Sequence, residues 1–163
     1  MEAVVTIGLP GCGKSTWAAG EAARIGAVII ERDIIRAEMA RDGGEEFSWA
    51  SWDFSWEAEV TRRWQSAKAA ALAAGVSVIF ADTNLNIGYR RELVADLKRA
   101  GYSVRYVFFD VAPEVCRARN ATRGPKAVDE VAYDRLAPGF QAAQESLADE
   151  ARELGVILEV IRN

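Results

Sequence analysis

Histidine is absent from all 163 residues of this chain, which removes the commonest general base and the commonest transition-metal ligand together. Any acid–base work therefore falls to carboxylates. Cysteine occurs twice, at Cys12 and Cys116, without a metal or redox spacing, so a reduced, cytoplasmic protein is expected. No apolar run approaches the ~18 residues of a membrane span, and Met1-Glu2-Ala3 lacks the basic and long apolar regions of a signal peptide. A membrane partner is not expected. Positive charge is in deficit, 20 Lys and Arg against 24 Asp and Glu for a net charge of -4, so the mean field does not draw in nucleic acid or acidic membranes. An anionic substrate must be held by a local cluster. Repeats, low-complexity tracts and interdomain linkers are also missing, and one domain over residues 1–163 is expected. A homo-oligomer stays open.

The stretch with the most information is Gly8-Leu9-Pro10-Gly11-Cys12-Gly13-Lys14-Ser15, directly after the apolar run Ala3-Val4-Val5-Thr6-Ile7. A strand that turns through glycines into a helix aims backbone N–H groups and the positive end of the helix dipole at one point, which suits a polyphosphate. The backbone from Gly8 through Thr16, Cys12 included, then forms the cradle. Gly8, Gly11 and Gly13 allow close approach, Lys14 reaches the β and γ phosphates, and the Ser15 hydroxyl ligates Mg²⁺. ATP and Mg²⁺ are the expected cofactors. The bland alternative is a glycine-rich turn with an incidental lysine.

Apolar runs typical of buried parallel strands lie at residues 3–7, 27–30, 76–81 and 103–110, with a further candidate at 156–161. Helical periodicity between them predicts helices at 15–25, 33–41, 54–74, 89–100 and 113–123, then pieces at 128–136 and 140–154 split by Pro138-Gly139. Alternation of this kind means an α/β fold with a parallel sheet. Residues 42–53, with Gly43-Gly44 and Glu45-Glu46, read as a mobile loop. The aromatics Phe47, Trp49, Trp52, Phe54 and Trp56 either stack substrate bases or bury themselves under that loop. Trp17 and Trp64 read as packing residues.

In an open parallel sheet, ligands gather at the carboxyl ends of the strands. Asp33 and Arg36, three apart after the second strand, share a helix face. The carboxylate can accept the proton of an attacking hydroxyl and the guanidinium can grip a phosphate; an N-cap aspartate beside a solvated arginine is the alternative. Asp82, ending the third strand, reads as Mg²⁺ support or as an Asx turn. Arg117, Arg119 and Arg123 follow the fourth strand, with Lys126 beyond, as charge-stabilising groups or an ordinary basic helix face.

Taken together, Thr6-Ile7-Gly8 through Ser15-Thr16-Trp17, Arg32-Asp33 with Arg36, Asp82-Thr83-Asn84-Leu85-Asn86 with Arg90-Arg91, and Arg119-Asn120 with Arg123-Gly124 and Lys126-Ala127-Val128 resemble one family in order and spacing. The chain resembles the polynucleotide 5'-kinase of T-even bacteriophages, the amino-terminal kinase module of the polynucleotide kinase-phosphatases, from residue 4 to about residue 136. The resemblance implies a P-loop kinase-like three-layer sandwich around a four- or five-stranded parallel sheet. It implies transfer of the γ-phosphoryl of ATP to a 5'-hydroxyl of DNA or RNA, an end-healing reaction of nucleic-acid repair. Lys14 and Ser15 would bind ATP and Mg²⁺, and Asp33 would be the general base. Arg36 would hold the acceptor phosphate, and Asp82 and Thr83 would line the acceptor side. Arg123 with Arg119 would contact the ATP phosphates from a lid around residues 113–128. Such proteins commonly continue into a phosphatase with an Asp-x-Asp motif; no such motif occurs in these residues, and removal of 3' phosphates by this stretch of chain is not expected. Two other readings of the residues stand beside this one: a kinase of the same architecture acting on a nucleoside, sugar or antibiotic, and a nucleotide-dependent switch or binding module.

Overall fold

Unbroken apolar runs belong to strands covered on both faces, and they occupy that position in the computed structural model, which describes residues 1–162. The element order is β1 (Glu2–Ile7), α1 (Lys14–Ile25), β2 (Val28–Ile30), α2 (Arg32–Asp42), a 3-10 turn (Phe54–Trp56), α3 (Glu57–Ala74), β3 (Val78–Phe80), α4 (Ile87–Arg99), β4 (Ser103–Phe109), α5 (Pro113–Ala121), a second 3-10 turn (Gly124–Lys126), α6 (Glu130–Leu154) and β5 (Ile157–Ile161). The five strands are parallel in the order β2-β3-β1-β4-β5. The chain leaves β1 toward one edge, then crosses back from β3 to β4 on its other side. That reversal opens a crevice beyond the carboxyl end of β1, directly where the glycine-rich loop begins.

Burial explains the central position of β1. Ala3, Val4, Val5 and Ile7 are fully buried, and the one polar residue among them, Thr6, satisfies its hydroxyl by donating to Phe80 O (3.3 Å) and Asp82 O (3.1 Å). β3 is buried throughout, whereas β5 at the edge leaves Ile157 exposed. A buried ion pair, Arg90 with Glu150, joined by Tyr106 Oη donating to Glu150 (2.9 Å), braces α4, α6 and β4 together.

Several boundaries differ from the sequence expectation. α6 runs unbroken through Pro138: Tyr133, Phe140, Ala143, Leu147 and Ala151 make one buried stripe that carries the helix past the single hydrogen bond proline forfeits. Gly139 is there for close approach, since a Cβ would lie 3.2 Å from Leu85 Cβ. α4 starts at Ile87 because Asn86 caps it, accepting from Tyr89 N (3.1 Å). α5 stops at Ala121, short of Arg123.

The expected mobile loop is packed. Phe47 and Trp52 are buried with ring centroids 5.4 Å apart, Trp52 Nε1 donates to Glu57 Oε1 (2.7 Å), and Trp49 N donates to Pro125 O (3.1 Å). Burying aromatic area outweighs the freedom that Gly43-Gly44 would allow. Trp64 is buried and Trp17 is half-buried, edge-on to Phe109 at 6.0 Å.

Candidate active site

The loop between β1 and α1 is held from three sides. Gly8 N donates to Thr83 O (3.1 Å), Tyr133 Oη to Pro10 O (3.4 Å), and Gly11 (φ 83°) lies so close to α5 that a Cβ would stand 2.4 Å from Cys116 O. Lys14 is buried inside its own loop, donating to Gly8 O (3.0 Å) and Leu9 O (2.8 Å), with Cys12 Sγ at 3.6 Å. Gly11, Gly13, Lys14, Ser15 and Thr16 line a cleft of about 1110 Å³. Gly8 and Cys12 lie behind it and shape the loop from the protein side.

The same cleft is lined by Asp33, Arg36, Asp82, Thr83, Arg119 and Arg123, so residues from Gly11 to Arg123 meet in one place. Asp33 stands inside the first turn of α2 and is no N-cap, a position taken by Glu31. Asp33 Oδ1 accepts from Arg36 Nη1 (2.8 Å), and Oδ2 lies 3.8 Å from Arg123 Nη2. Arg36 is only 11% exposed, which rules out the solvated-arginine alternative. It donates through Nε and Nη2 to both oxygens of Glu57 (2.8 Å each), and Trp49 covers it at 4.7 Å. Burial works against this guanidinium, and the Glu57 and Asp33 carboxylates more than restore its charge. Arg36 in turn holds Glu57 below the usual carboxylate range. Three of the five guanidinium N–H groups are thereby used, and the other two have no partner among the described residues.

Asp82 lines the cleft, but both its oxygens are engaged within the protein. Oδ1 accepts from Arg32 N (2.8 Å), the first residue of α2, and Oδ2 from Trp64 Nε1 (2.9 Å). Burial pushes its carboxyl up, against the pull of these donors. Asp82 thus ties the end of β3 to the start of the helix that carries Asp33. Arg90 locks the following turn, donating to Asn84 O (2.8 Å), while Asn84 Nδ2 donates to Thr6 O (2.8 Å).

The arginines of α5 and its continuation divide. Arg119 and Arg123 line the cleft, whereas Arg117 turns away to pair with Glu130 and Asp134 over the Tyr133 ring at 4.3 Å. Asn120 closes the segment between them, exchanging hydrogen bonds with Val128 O (2.8 Å) and Val128 N (3.1 Å). Seven basic and six acidic side chains line the cleft, a local balance opposite in sign to that of the whole chain.

Two residues of this site escape sequence reasoning. Glu57 meets Arg36 from 21 positions away, with no local spacing to announce it. Glu31 accepts from Ser15 Oγ (2.9 Å); its place at the end of β2 is the one signal that could have found it. Burial pushes the Glu31 carboxyl up, with Asp33 and Asp82 adding to the effect and the Ser15 hydroxyl opposing it.

Comparison with known proteins agrees with this architecture: the AAA domain family model matches residues 4–145. The chain belongs to this AAA domain family. Among solved structures it is similar to a gluconokinase from Sinorhizobium meliloti (17% identity, TM-score 0.59, covering 99% of this chain and 82% of that one). It is also similar to a sugar kinase from a Janibacter species (24% identity, TM-score 0.58, 99% and 85%). AvrRxo1-ORF1:AvrRxo1-ORF2 with ATP superposes at TM-score 0.77 with 14% identity, over 99% of this chain and 54% of that one. These likenesses establish a P-loop kinase fold for the AAA domain described above. Among the described residues no helix is long and apolar enough to cross a membrane, and no group of three or more Asp, Glu, Cys or His side chains is arranged to hold a metal.

Proposed function

We propose that this chain transfers the γ-phosphoryl group of ATP to the 5'-hydroxyl end of DNA or RNA. The observation that carries the reading is the Asp33 carboxylate, held between Arg36 and Arg123 in the cleft that Lys14 and Ser15 floor. A carboxylate placed there can take the proton of an incoming alcohol, in a chain that has no histidine to do so.

In the reaction the acceptor oxygen bonds to the γ phosphorus, its proton passes to Asp33, and the bond from the γ phosphorus to the bridging oxygen breaks to release ADP. Lys14, Arg119 and Arg123 spread the charge on the phosphoryl oxygens. The donor set fits Mg²⁺, because Ser15 and Glu31 offer hard oxygen ligands, and an ion with few protein ligands draws the rest from phosphates and water. Bound there, Mg²⁺ would neutralise phosphate charge.

The polynucleotide acceptor is supported by convergence. Of the residues that carry the resemblance to phage polynucleotide 5'-kinases, Arg32, Asp33, Arg36, the turn from Asp82 to Asn86, Arg119, Arg123 and Val128 line the one cleft, whereas Arg90 and Arg91 pair with Glu150 and Glu153. The two N–H groups of Arg36 not used by Glu57 and Asp33 can hold a strand phosphate. A second reading, phosphorylation of a small polyol or nucleoside, is favoured by the gluconokinase and sugar kinase among the similar folds. It is also favoured by Glu92 on the cleft wall, whose carboxylate opposes a polyanion.

Transfer of labelled phosphate from ATP to DNA and RNA oligonucleotides with free 5' ends, beside a panel of sugars and nucleosides, separates the two. Oligonucleotide labelling is expected, falling by about 10²- to 10⁴-fold in Asp33→Asn while ATP binding persists. Labelling confined to a metabolite establishes the second reading.

A further inference from the structure

Part of the aromatic group between Phe47 and Trp56 packs the loop that carries it, and part does not. Phe47 and Trp52 are buried against each other, whereas Phe54 is 67% exposed. Its ring is nonetheless held in one orientation. It stacks on Trp49 at 22° with ring centroids 6.1 Å apart, and the short turn that bears it is capped by Asp53, which accepts from Ser55 N (2.8 Å). A ring left this open to water adds little to folding.

Trp49 connects that ring to the cleft, which it lines. Arg36 lies over its indole, 4.7 Å from the ring centroid, and Trp49 N is tied to Pro125 O (3.1 Å) in the turn after α5. Trp49 Nε1 is buried with no hydrogen-bond partner among the described residues, so the indole is kept there for its faces rather than for its donor. Guanidinium, indole and phenyl thus form one ladder, leading from the two free N–H groups of Arg36 to the surface. Asp53 beside Phe54, with Glu45 and Glu46 in the same loop, repels phosphate. What the end of the ladder offers a strand is a π-face, on which any base can stack.

We propose that Phe54 stacks the base of the second nucleotide of a single-stranded acceptor, the nucleotide joined to the reacting nucleoside by the phosphate at Arg36. This inference rests on the polynucleotide reading of the cleft and adds to it that acceptor affinity depends on the second base.

The test compares acceptor KM, in phosphate transfer from ATP, for a nucleoside 3'-monophosphate, a short single strand of DNA, and the same strand lacking the base of its second nucleotide. For the wild-type chain the intact strand is expected to have a KM about 5- to 100-fold below that of the abasic one. In Phe54→Ala and Phe54→Leu the two strands are expected to converge, and Phe54→Trp, which restores a ring, to separate them again. The Phe54→Ala defect should be the same at every salt concentration, because a stacked ring releases no counterions. Equal KM values for intact and abasic strands in wild type would overturn the inference and leave the polynucleotide reading standing. So would a Phe54→Ala defect equally large for the nucleoside 3'-monophosphate, which would make Phe54 a packing residue behind Arg36. Absence of any oligonucleotide labelling would remove both the inference and that reading.

Discussion

Asp82→Ala asks whether this carboxylate meets substrate or holds the cleft together from behind. Its removal strands two donors at once, Arg32 N and Trp64 Nε1, at 2.8 and 2.9 Å from its oxygens. Each hydrogen bond to a charged acceptor contributes about 1.5–3 kcal/mol. The loss is partly offset because the carboxylate is one that burial has pushed above its ordinary range, leaving a net cost of about 2–4 kcal/mol. For a domain of this size, about 2–4 °C per kcal/mol turns that into a fall in Tm of about 5–15 °C. Thermal melting without nucleotide reads the stability, and steady-state phosphorylation reads the site. Because α2 carries Asp33 and loses its anchor, kcat should fall with Tm while the acceptor KM moves little. Asp82→Asn keeps one accepting oxygen and should cost about 1–2 kcal/mol, with part of kcat retained. If Asp82→Ala melts with wild type and its defect lies in the acceptor KM, the carboxylate touches the acceptor and the anchoring argument is wrong.

Gly11→Ala and Gly13→Ala should differ although both residues have positive φ. Each incurs about 1–2 kcal/mol of left-handed strain, but only Gly11 would drive its Cβ into a backbone oxygen, 2.4 Å from Cys116 O. Without nucleotide, Gly11→Ala should therefore show the lower Tm, and equal melting would refute the close packing of loop on α5. Stability should also decline on acidification. Glu21 is held down to about 2 by the Arg24 hydrogen bond, with burial opposing and Arg105 assisting. A lowered carboxylate contributes in full above its unfolded value near 4.5 and loses that contribution as pH falls toward 2. Asp82 works in the opposite sense: burial raises its folded value, so its ionised form costs stability as pH rises through that value, and protonating it on acidification returns some. Melting curves from neutral pH downward should show Glu21→Gln with a flatter acid limb than wild type; an unchanged limb would discount Glu21.

What the residue order by itself determined is local. The phosphate loop is legible because its parts are contiguous from Gly8 to Ser15. The strands are legible because a doubly covered strand needs an unbroken apolar run, and the sharing of a face by Asp33 and Arg36 because helical pitch puts residues three apart together. Tertiary structure alone decided which groups complete the site. Glu57 reaches Arg36 and Glu31 reaches Ser15 only because the parallel sheet brings its strand ends and the helices that follow them to one crevice. The packing of α5 on Gly11 put Arg119 on the cleft and left Arg117 to its own ion pairs, and the turn after α5 brought Arg123 beside Asp33. Pro138 reads as a break in sequence, yet the buried stripe on either side of it kept α6 whole. Propensity and spacing act over a turn of chain, whereas burial and charge pairing act between segments, and no local pattern encodes the second.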